Sequence, residues 1–355
     1  MKNKARLLLV LFVLSAVLAG CQCVQENLHS DTELQLPVTL SDVERAQDVL
    51  KRVAFHTPLV EEEALSRICD ARVFLKLESL QHTGSFKVRG AFNKIAGLSD
   101  AERAKGVITA SAGNHAQGVA LAASAYNIPA IIVMPEGVPK TKLQATKAYG
   151  AQVVLYGEVF DESLAKALEI QQETGAIFVH PFDDPMTIAG QGTIGLEILD
   201  DLPDADVILV PVGGGGLISG ITVAVKGIRP STLIIGVEPE NAPSMAEALK
   251  RDRPTTVQVI PTIAEGTAVS KVGNITHAIV RKLVDKLITV SEEEIAEAML
   301  LLLLKDKVLT EGAGALGAAA LLSGKLDVKG KKVVIVISGG NIDSEELKEL
   351  LTKTR

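Results

Sequence analysis

Asp206-Val-Ile-Leu-Val-Pro211-Val-Gly213-Gly214-Gly215-Gly216-Leu217 is an apolar run that leads through four consecutive glycines into a helical stretch. A continuous apolar run is the pattern of a strand buried on both faces, as in a parallel sheet. Glycines let the backbone approach an anion closely, and their N–H groups join the positive end of the helix that opens at Leu217. The loop therefore reads as a phosphate cradle. It lacks the Lys-Ser/Thr ending of a nucleotide P-loop and the spacing of a dinucleotide fingerprint. The bland alternative is a flexible turn, which rarely needs four glycines.

The same alternation extends outward in both directions. Residues 107–109, 130–134, 153–155, 233–237 and 333–337 read as further strands. Residues 116–126, 140–149, 160–174, 217–226 and 295–304 read as helices. The fold class is therefore α/β, with two parallel-rich open sheets flanked by helices. The expected layout is a large domain of residues 39–105 and 184–355, with a smaller domain, 106–183, inserted into it. In such sheets ligands lie beyond the carboxyl ends of the strands. Ser111-Ala112-Gly113-Asn114-His115 follows one strand and opens a helix, which makes a second anion site suited to a carboxylate. Ser111 or Asn114 as a plain helix cap is the alternative, and both readings can hold. Ser338-Gly339-Gly340-Asn341 follows the last strand. Ser85-Phe86-Lys87-Val88-Arg89-Gly90 sets a lysine between apolar residues. A partly buried lysine loses its charge readily and becomes a base or a Schiff-base amine. A phosphorylated aldehyde cofactor needs both such a lysine and a phosphate site.

Taken together, Ser85-Phe-Lys87-x-Arg89-Gly90-Ala91, Ser111-Ala-Gly113-Asn114-His115-Ala-Gln117-Gly118, the run from Gly213 to Leu217, Thr310-Glu311-Gly-Ala-Gly314-Ala and Ser338-Gly-Gly-Asn341 resemble the threonine/serine dehydratases. These are fold-type-II pyridoxal-phosphate enzymes, with a tryptophan-synthase-β-like fold, related to serine racemase. The resemblance spans about residues 39–343, with the motifs in family order. It implies that Lys87 holds pyridoxal 5'-phosphate, that Phe86 packs along its ring, and that Asn114 faces its ring hydroxyl. It implies that Gly213, Gly214, Gly215, Gly216 and Leu217 hold the phosphate, and that Ser338 bonds the ring nitrogen. It assigns Ser111, Ala112, Gly113, Asn114 and His115 to the substrate carboxylate and puts Glu311 beside cofactor and substrate. The implied reaction is α,β-elimination, from L-threonine to 2-oxobutanoate and ammonia and from L-serine to pyruvate and ammonia. A neutral hydroxyl at Ser338 does not enforce protonation of the ring nitrogen, which suits elimination. The resemblance also places at Ala112 the serine that gives serine racemase its second acid–base group, so racemisation ranks below dehydration. A lipid-anchored amino-acid-binding pseudoenzyme is the rival from another class, and the Schiff-base lysine argues against it.

Val237-Glu238-Pro-Glu-Asn241-Ala242-Pro-Ser244 resembles the divalent-cation loop of serine racemase, with Glu238 and Ala242 matching. Ser244 replaces an expected aspartate, so the loop reads either as a site for a monovalent or divalent cation or as plain surface. The resemblance implies a homodimer or tetramer. The chain ends soon after Asp343, so no C-terminal regulatory domain is expected.

Composition sets the remaining bounds. A length of 355 residues suggests about two domains. A formal charge of -7, 3% aromatic residues and no Trp argue against a nucleic-acid partner. Cys21, Cys23 and Cys69 have neither zinc-ligand spacing nor a disulfide framework. Lys2, Lys4 and Arg6, the apolar run 7–18 and Leu18-Ala19-Gly20-Cys21 follow one another as in a secretory signal. The last four also resemble a lipobox, with Cys21 lipidated, which would make the protein an exported, membrane-anchored lipoprotein with 1–23 as its signal. An uncleaved apolar segment is the alternative, with a cytoplasmic protein. Residues 24–38 read as a linker, and Ser41-x-x-Glu44 as a capping box that opens the folded body.

Overall fold

The structure is a computed structural model that describes residues 36–352. The expectations for the signal segment 1–23, for Cys21 and for nearly all of the linker 24–38 lie outside the described residues.

The strands are β1 (Leu59–Glu62), β2 (Arg72–Leu77), β3 (Val107–Ala110), β4 (Ala130–Met134), β5 (Gln152–Leu155), β6 (Ile177–Phe178), β7 (Val207–Pro211), β8 (Leu233–Pro239), β9 (Lys286–Val290) and β10 (Lys332–Ile337). They form a six-stranded sheet ordered β1-β2-β10-β7-β8-β9 and a four-stranded sheet ordered β5-β4-β3-β6. Among the strands of the described residues, only β1 runs antiparallel to its neighbour. The α/β expectation of two parallel-rich sheets therefore holds. The smaller sheet is drawn wholly from chain between β2 and β7. Side chains alternate between the two faces of a strand, and β10 displays this. Val333, Ile335 and Ile337 enter one apolar core, while Val334 and Val336 enter the other.

The helices that position the site are α1 (Leu40–Leu50), α2 (Lys87–Ala96), α3 (Asn114–Ala125), α4 (Pro185–Asp201), α5 (Gly216–Ile228), α6 (Asn274–Leu283) and α7 (Gly312–Leu322). The cap of α1 lies two residues earlier than the sequence suggests. Thr39 Oγ1 accepts from Asp42 N, and the Asp42 carboxylate accepts from Thr39 N at 2.8 Å. Ser41 instead accepts from Arg45 Nη1 at 2.8 Å. Helix α4 is buried along nearly its whole circumference. It opens with Asp184 as N-cap and Pro185 in the first turn, where a missing N–H costs nothing. Its glycines bring backbones together. A Cβ on Gly190 would stand 2.7 Å from Arg89 O, and one on Gly192 2.8 Å from Gly220 O, so α4 lies tight against α2 and α5.

Beneath α2 lies a buried ion cluster. Arg89, 1% exposed, donates to Glu78 at 2.8 Å through both Nε and Nη2, and to Glu197 at 2.6 and 3.0 Å. It also reaches Thr193 Oγ1 and Phe55 O. Lys76, fully buried, pairs with Glu197 Oε2 at 2.8 Å and donates to Thr57 O at 2.7 Å. The cluster ties β2, the turn after it and α4 to the helix whose first residue is Lys87.

Candidate active site

The glycine run sits where β7 ends and α5 begins. Gly215 has φ +91°, in the left-handed region that glycine enters without penalty, and no side chain caps the helix. The loop has no room for larger residues. A Cβ on Gly213 would stand 2.8 Å from Thr267 Cα, and one on Gly216 2.9 Å from Phe182 Cα. On Gly214 it would enter the Phe182 ring. Thr276 Oγ1 donates to Gly214 O at 2.7 Å and so fixes the loop from α6. The N-terminus of α6 is in turn held by Asp183, whose carboxylate accepts from the backbone of Asn274, Ile275 and Thr276.

Lys87 opens α2 and is half-buried. Its Nζ donates to Pro181 O at 3.0 Å and lies 5.2 Å from the Phe86 ring centroid. Burial lowers its pKa to about 8, against an opposing pull from Glu311. Pro181 and Phe182 are consecutive, so the lysine tip and the glycine loop both contact one short segment. Gly118 of α3 lies against the Lys87 peptide, where a Cβ would stand 3.1 Å from its carbonyl carbon. Phe86 N donates to Ser338 O at 3.1 Å, and Ser85 bridges Gly339, which joins the end of β10 to the lysine loop.

Helix α3 starts at Asn114 with Gly113 as its cap residue and no capping side chain. Ser111 Oγ accepts from Gly113 N at 3.2 Å, so Ser111 shapes the turn rather than capping the helix. Ser111, Ala112, Gly113 and Asn114 are half-buried, at the open side of this end. His115 turns away from it. Its Nε2 meets Val179 O at 2.9 Å, which requires the hydrogen on Nε2, and its Nδ1 is buried without a partner. Burial and the nearby Lys87 push its pKa down to about 3, so the ring is neutral. A cationic grip by this imidazole is therefore not available.

Asn114 Nδ2 donates to Glu311 Oε1 at 2.7 Å. Burial pushes the Glu311 carboxyl up to about 7, although the Asn114 bond opposes this. A carboxyl whose folded-state pKa lies above its usual 4.5 contributes stability below that value and loses it as pH rises to about 7. In the cofactor-free protein, Glu311→Gln is expected to remove this loss. Its unfolding temperature relative to the parent should climb between about pH 4.5 and pH 7 and then level off. A constant difference from pH 4 to 8 would contradict the assignment.

Glu238 lies near the end of β8, and Ala242 in the loop that follows it. The Glu238 carboxylate accepts from Met245 N at 2.7 Å and Ala246 N at 2.9 Å. Burial pushes its pKa up to about 8 despite these bonds. Ala242 is buried, and Ser244 Oγ donates to Val269 O. Among the described residues no three His, Cys, Asp or Glu side chains stand together as a metal set.

Sequence reasoning passed over Pro181, Phe182, Asp183 and Thr276. The signal available was the Asp184-Pro185 helix start, which marks the preceding residues as a loop at the carboxyl end of a strand.

The donor set fits a phosphorylated aldehyde. An uncapped helix end with glycines too crowded for side chains can take the phosphate, and a lysine that sheds its proton near pH 8 can take the aldehyde. Enzymes that anchor such a cofactor on an open α/β sheet are the class this arrangement defines. The chain belongs to the pyridoxal-phosphate dependent enzyme family, whose model matches residues 50–339. It is 56% identical to the L-threonine ammonia-lyase of Thermotoga maritima over 316 residues, covering 89% of this chain and 79% of the relative. The solved structure of the processed form of threonine deaminase isoform 2 from Solanum lycopersicum has a TM-score of 0.83 and 40% identity, covering 89% of this chain and 92% of that one. Maize serine racemase has a TM-score of 0.85 and 36% identity, covering 89% and 97%.

Proposed function

We propose that this protein eliminates water and ammonia from L-threonine, giving 2-oxobutanoate, and from L-serine, giving pyruvate. Support comes from the 56% identity to an L-threonine ammonia-lyase. The observation that carries the reading is the Lys87 amine, half-buried, held by Pro181 O and lowered to about 8.

The family's cofactor, when bound, supplies the electron sink that makes the Cα hydrogen of the amino acid acidic. The glycine loop from Gly213 to Leu217 would hold its phosphate. Ser338, which directly follows β10, would meet the ring nitrogen, and Phe86 would pack along the ring. The first N–H groups of α3, with Ser111 to Gly113 before them, receive the substrate carboxylate. A neutral His115 adds shape there rather than charge. Lys87 then takes the Cα proton. A pKa near 8 leaves part of the amine unprotonated at neutral pH, and Pro181 O fixes its direction. The Cβ–O bond breaks, and the hydroxyl leaves as water, carrying off the equivalent of the proton that Lys87 took from Cα. The released enamine becomes an imine and takes up one water, giving the oxo acid and ammonia.

Ala112 favours elimination, since it has no hydroxyl with which to return a proton from a second face. The structural likeness to maize serine racemase keeps racemisation as the second reading. The deciding experiment incubates the cofactor-loaded protein with L-threonine or L-serine and measures 2-oxobutanoate, pyruvate and D-serine. Oxo acid as the main product supports dehydration. D-serine without oxo acid would replace it with racemisation. The domain layout proposed with this function assigns residues 106–183, which hold the four-stranded sheet, to the smaller domain.

A further inference from the structure

Thr83, Asn341, Asn114 and Glu311 form a hydrogen-bond chain whose two ends both accept. The Thr83 carbonyl accepts from Asn341 Nδ2 at 2.6 Å. The same nitrogen donates to Asn114 Oδ1 at 2.8 Å. At the far end the Glu311 carboxylate accepts from Asn114 Nδ2 at 2.7 Å. A carbonyl oxygen has no hydrogen to give, so Asn341 must turn its NH2 toward Thr83. An amide NH2 has two hydrogens, and Asn341 commits one to each neighbour. Asn114 must therefore offer its oxygen to Asn341 and its NH2 to Glu311. One hydrogen of that NH2 goes to Glu311, and the other is what Asn114 can turn toward a ligand.

The surrounding backbone is built around Asn341. Thr83 has φ +63° and Gly84 φ +71°, and a Cβ on Gly84 would collide with the Asn341 amide. Gly340 N donates to Gly84 O at 2.9 Å, so the loop that leads to Lys87 is joined to the Asn341 segment on both sides of this contact. None of these bonds depends on a bound molecule, so the orientation of Asn114 is set in advance.

We propose that Asn341 is a positioning residue that locks Asn114 as a hydrogen-bond donor toward the cofactor's ring oxygen, and so favours the ionised form of that oxygen. The inference rests on the placement of Asn114 against the ring oxygen in the function proposed above. Turned by 180°, the same amide would present its own oxygen and favour the protonated ring hydroxyl instead. The two forms of bound cofactor absorb at different wavelengths, so the orientation of one amide is visible without turnover.

The test loads the parent, Asn341→Asp, Asn341→Ala and Asn114→Ala with pyridoxal 5'-phosphate. It records the absorption bands against pH, the cofactor affinity, and the unfolding temperature. Asn341→Asp keeps the shape but replaces the donor by acceptors, so Asn114 should turn over to bond it. The ratio of ionised to protonated bands should then fall about tenfold or more at a given pH, roughly the effect of one exchanged hydrogen bond. Asn341→Ala releases Asn114 without imposing the reverse orientation and should give a smaller fall of the same sign. Parent band ratios in both folded, loaded Asn341 variants would overturn the proposal. So would an Asn341→Ala protein that fails to fold or to bind cofactor, since Asn341 would then be structural. If Asn114→Ala leaves the bands of the parent, the failure lies in the placement of Asn114, not in the lock.

Discussion

Arg89→Met is expected to destabilise the protein by about 3–5 kcal/mol, the cost of leaving buried carboxylates without their cation. Arg89 is the group that Glu78 and Glu197 share, with Glu78 fully buried and Arg89 1% exposed. Two bonds of 2.8 Å to Glu78 leave that side chain little alternative, since its other partner is the Thr57 hydroxyl at 2.6 Å. Glu197 would retain Lys76, so the larger share of the loss falls on Glu78. The comparison that isolates this effect is Arg89→Met against Arg89→Met with Glu78→Gln. Removing one charge of the pair costs more than neutralising both, and the double variant should recover part of the loss. Denaturant unfolding of the cofactor-free proteins measures it. An equally unstable double variant would mean that the packing of the guanidinium, and not its charge, is what the fold needs. Because Lys87 lies two residues before Arg89 on the same helix, the single variant should also hold cofactor less tightly.

The parts of this molecule legible in the sequence were those governed by local rules. The apolar run ending in four glycines gave both a strand and a helix start, and the helix Phe160–Thr174 matched its expected bounds. Strong end signals explain that match, with acidic residues in the first turn and Gly175 in the left-handed cap position. Helix α4 escaped because it has no polar face to set off a stripe. It is wrapped by α1, α2 and α5, and a helix buried all round has little periodicity. The helix expected at 295–304 starts instead at Glu292, where Ser291 and Glu294 form a capping box, and runs after Leu301 into a π-helical turn, Leu302–Asp306. Within the site, Lys87 and the glycine loop were visible as residue types suited to an aldehyde and a phosphate. The partners that aim them were not. Pro181 reaches Lys87 across 94 positions, and Asn341 reaches Asn114 across 227. Such pairs are set by strand order, with β10 lying between β2 and β7, and no local pattern encodes them.

Lys87→Ala is expected to have the largest effect on catalysis, lowering oxo-acid formation by about four orders of magnitude or more. General-base removal alone is worth about 10²- to 10⁴-fold, and loss of the covalent anchor adds to it. The variant should still fold and still take up cofactor through the glycine loop, since Thr276, Asp183 and Phe182 hold that loop without the lysine. Its affinity should fall, and borohydride should no longer fix the cofactor to the chain. A small primary amine added to the solution should restore part of the activity if the missing function is proton transfer. No rescue, with the cofactor bound and the fold intact, would limit Lys87 to anchoring. A second readout needs no cofactor. The folded-state pKa of Lys87 lies near 8, below the ordinary 10.5. Between those values the unfolded chain binds more protons than the folded one, so stability rises with pH in that window. The parent should show this rise from about pH 8 to pH 10.5, and Lys87→Ala should lack it. An equal rise in both proteins would place the titrating group elsewhere and remove the physical ground for treating Lys87 as a base at neutral pH.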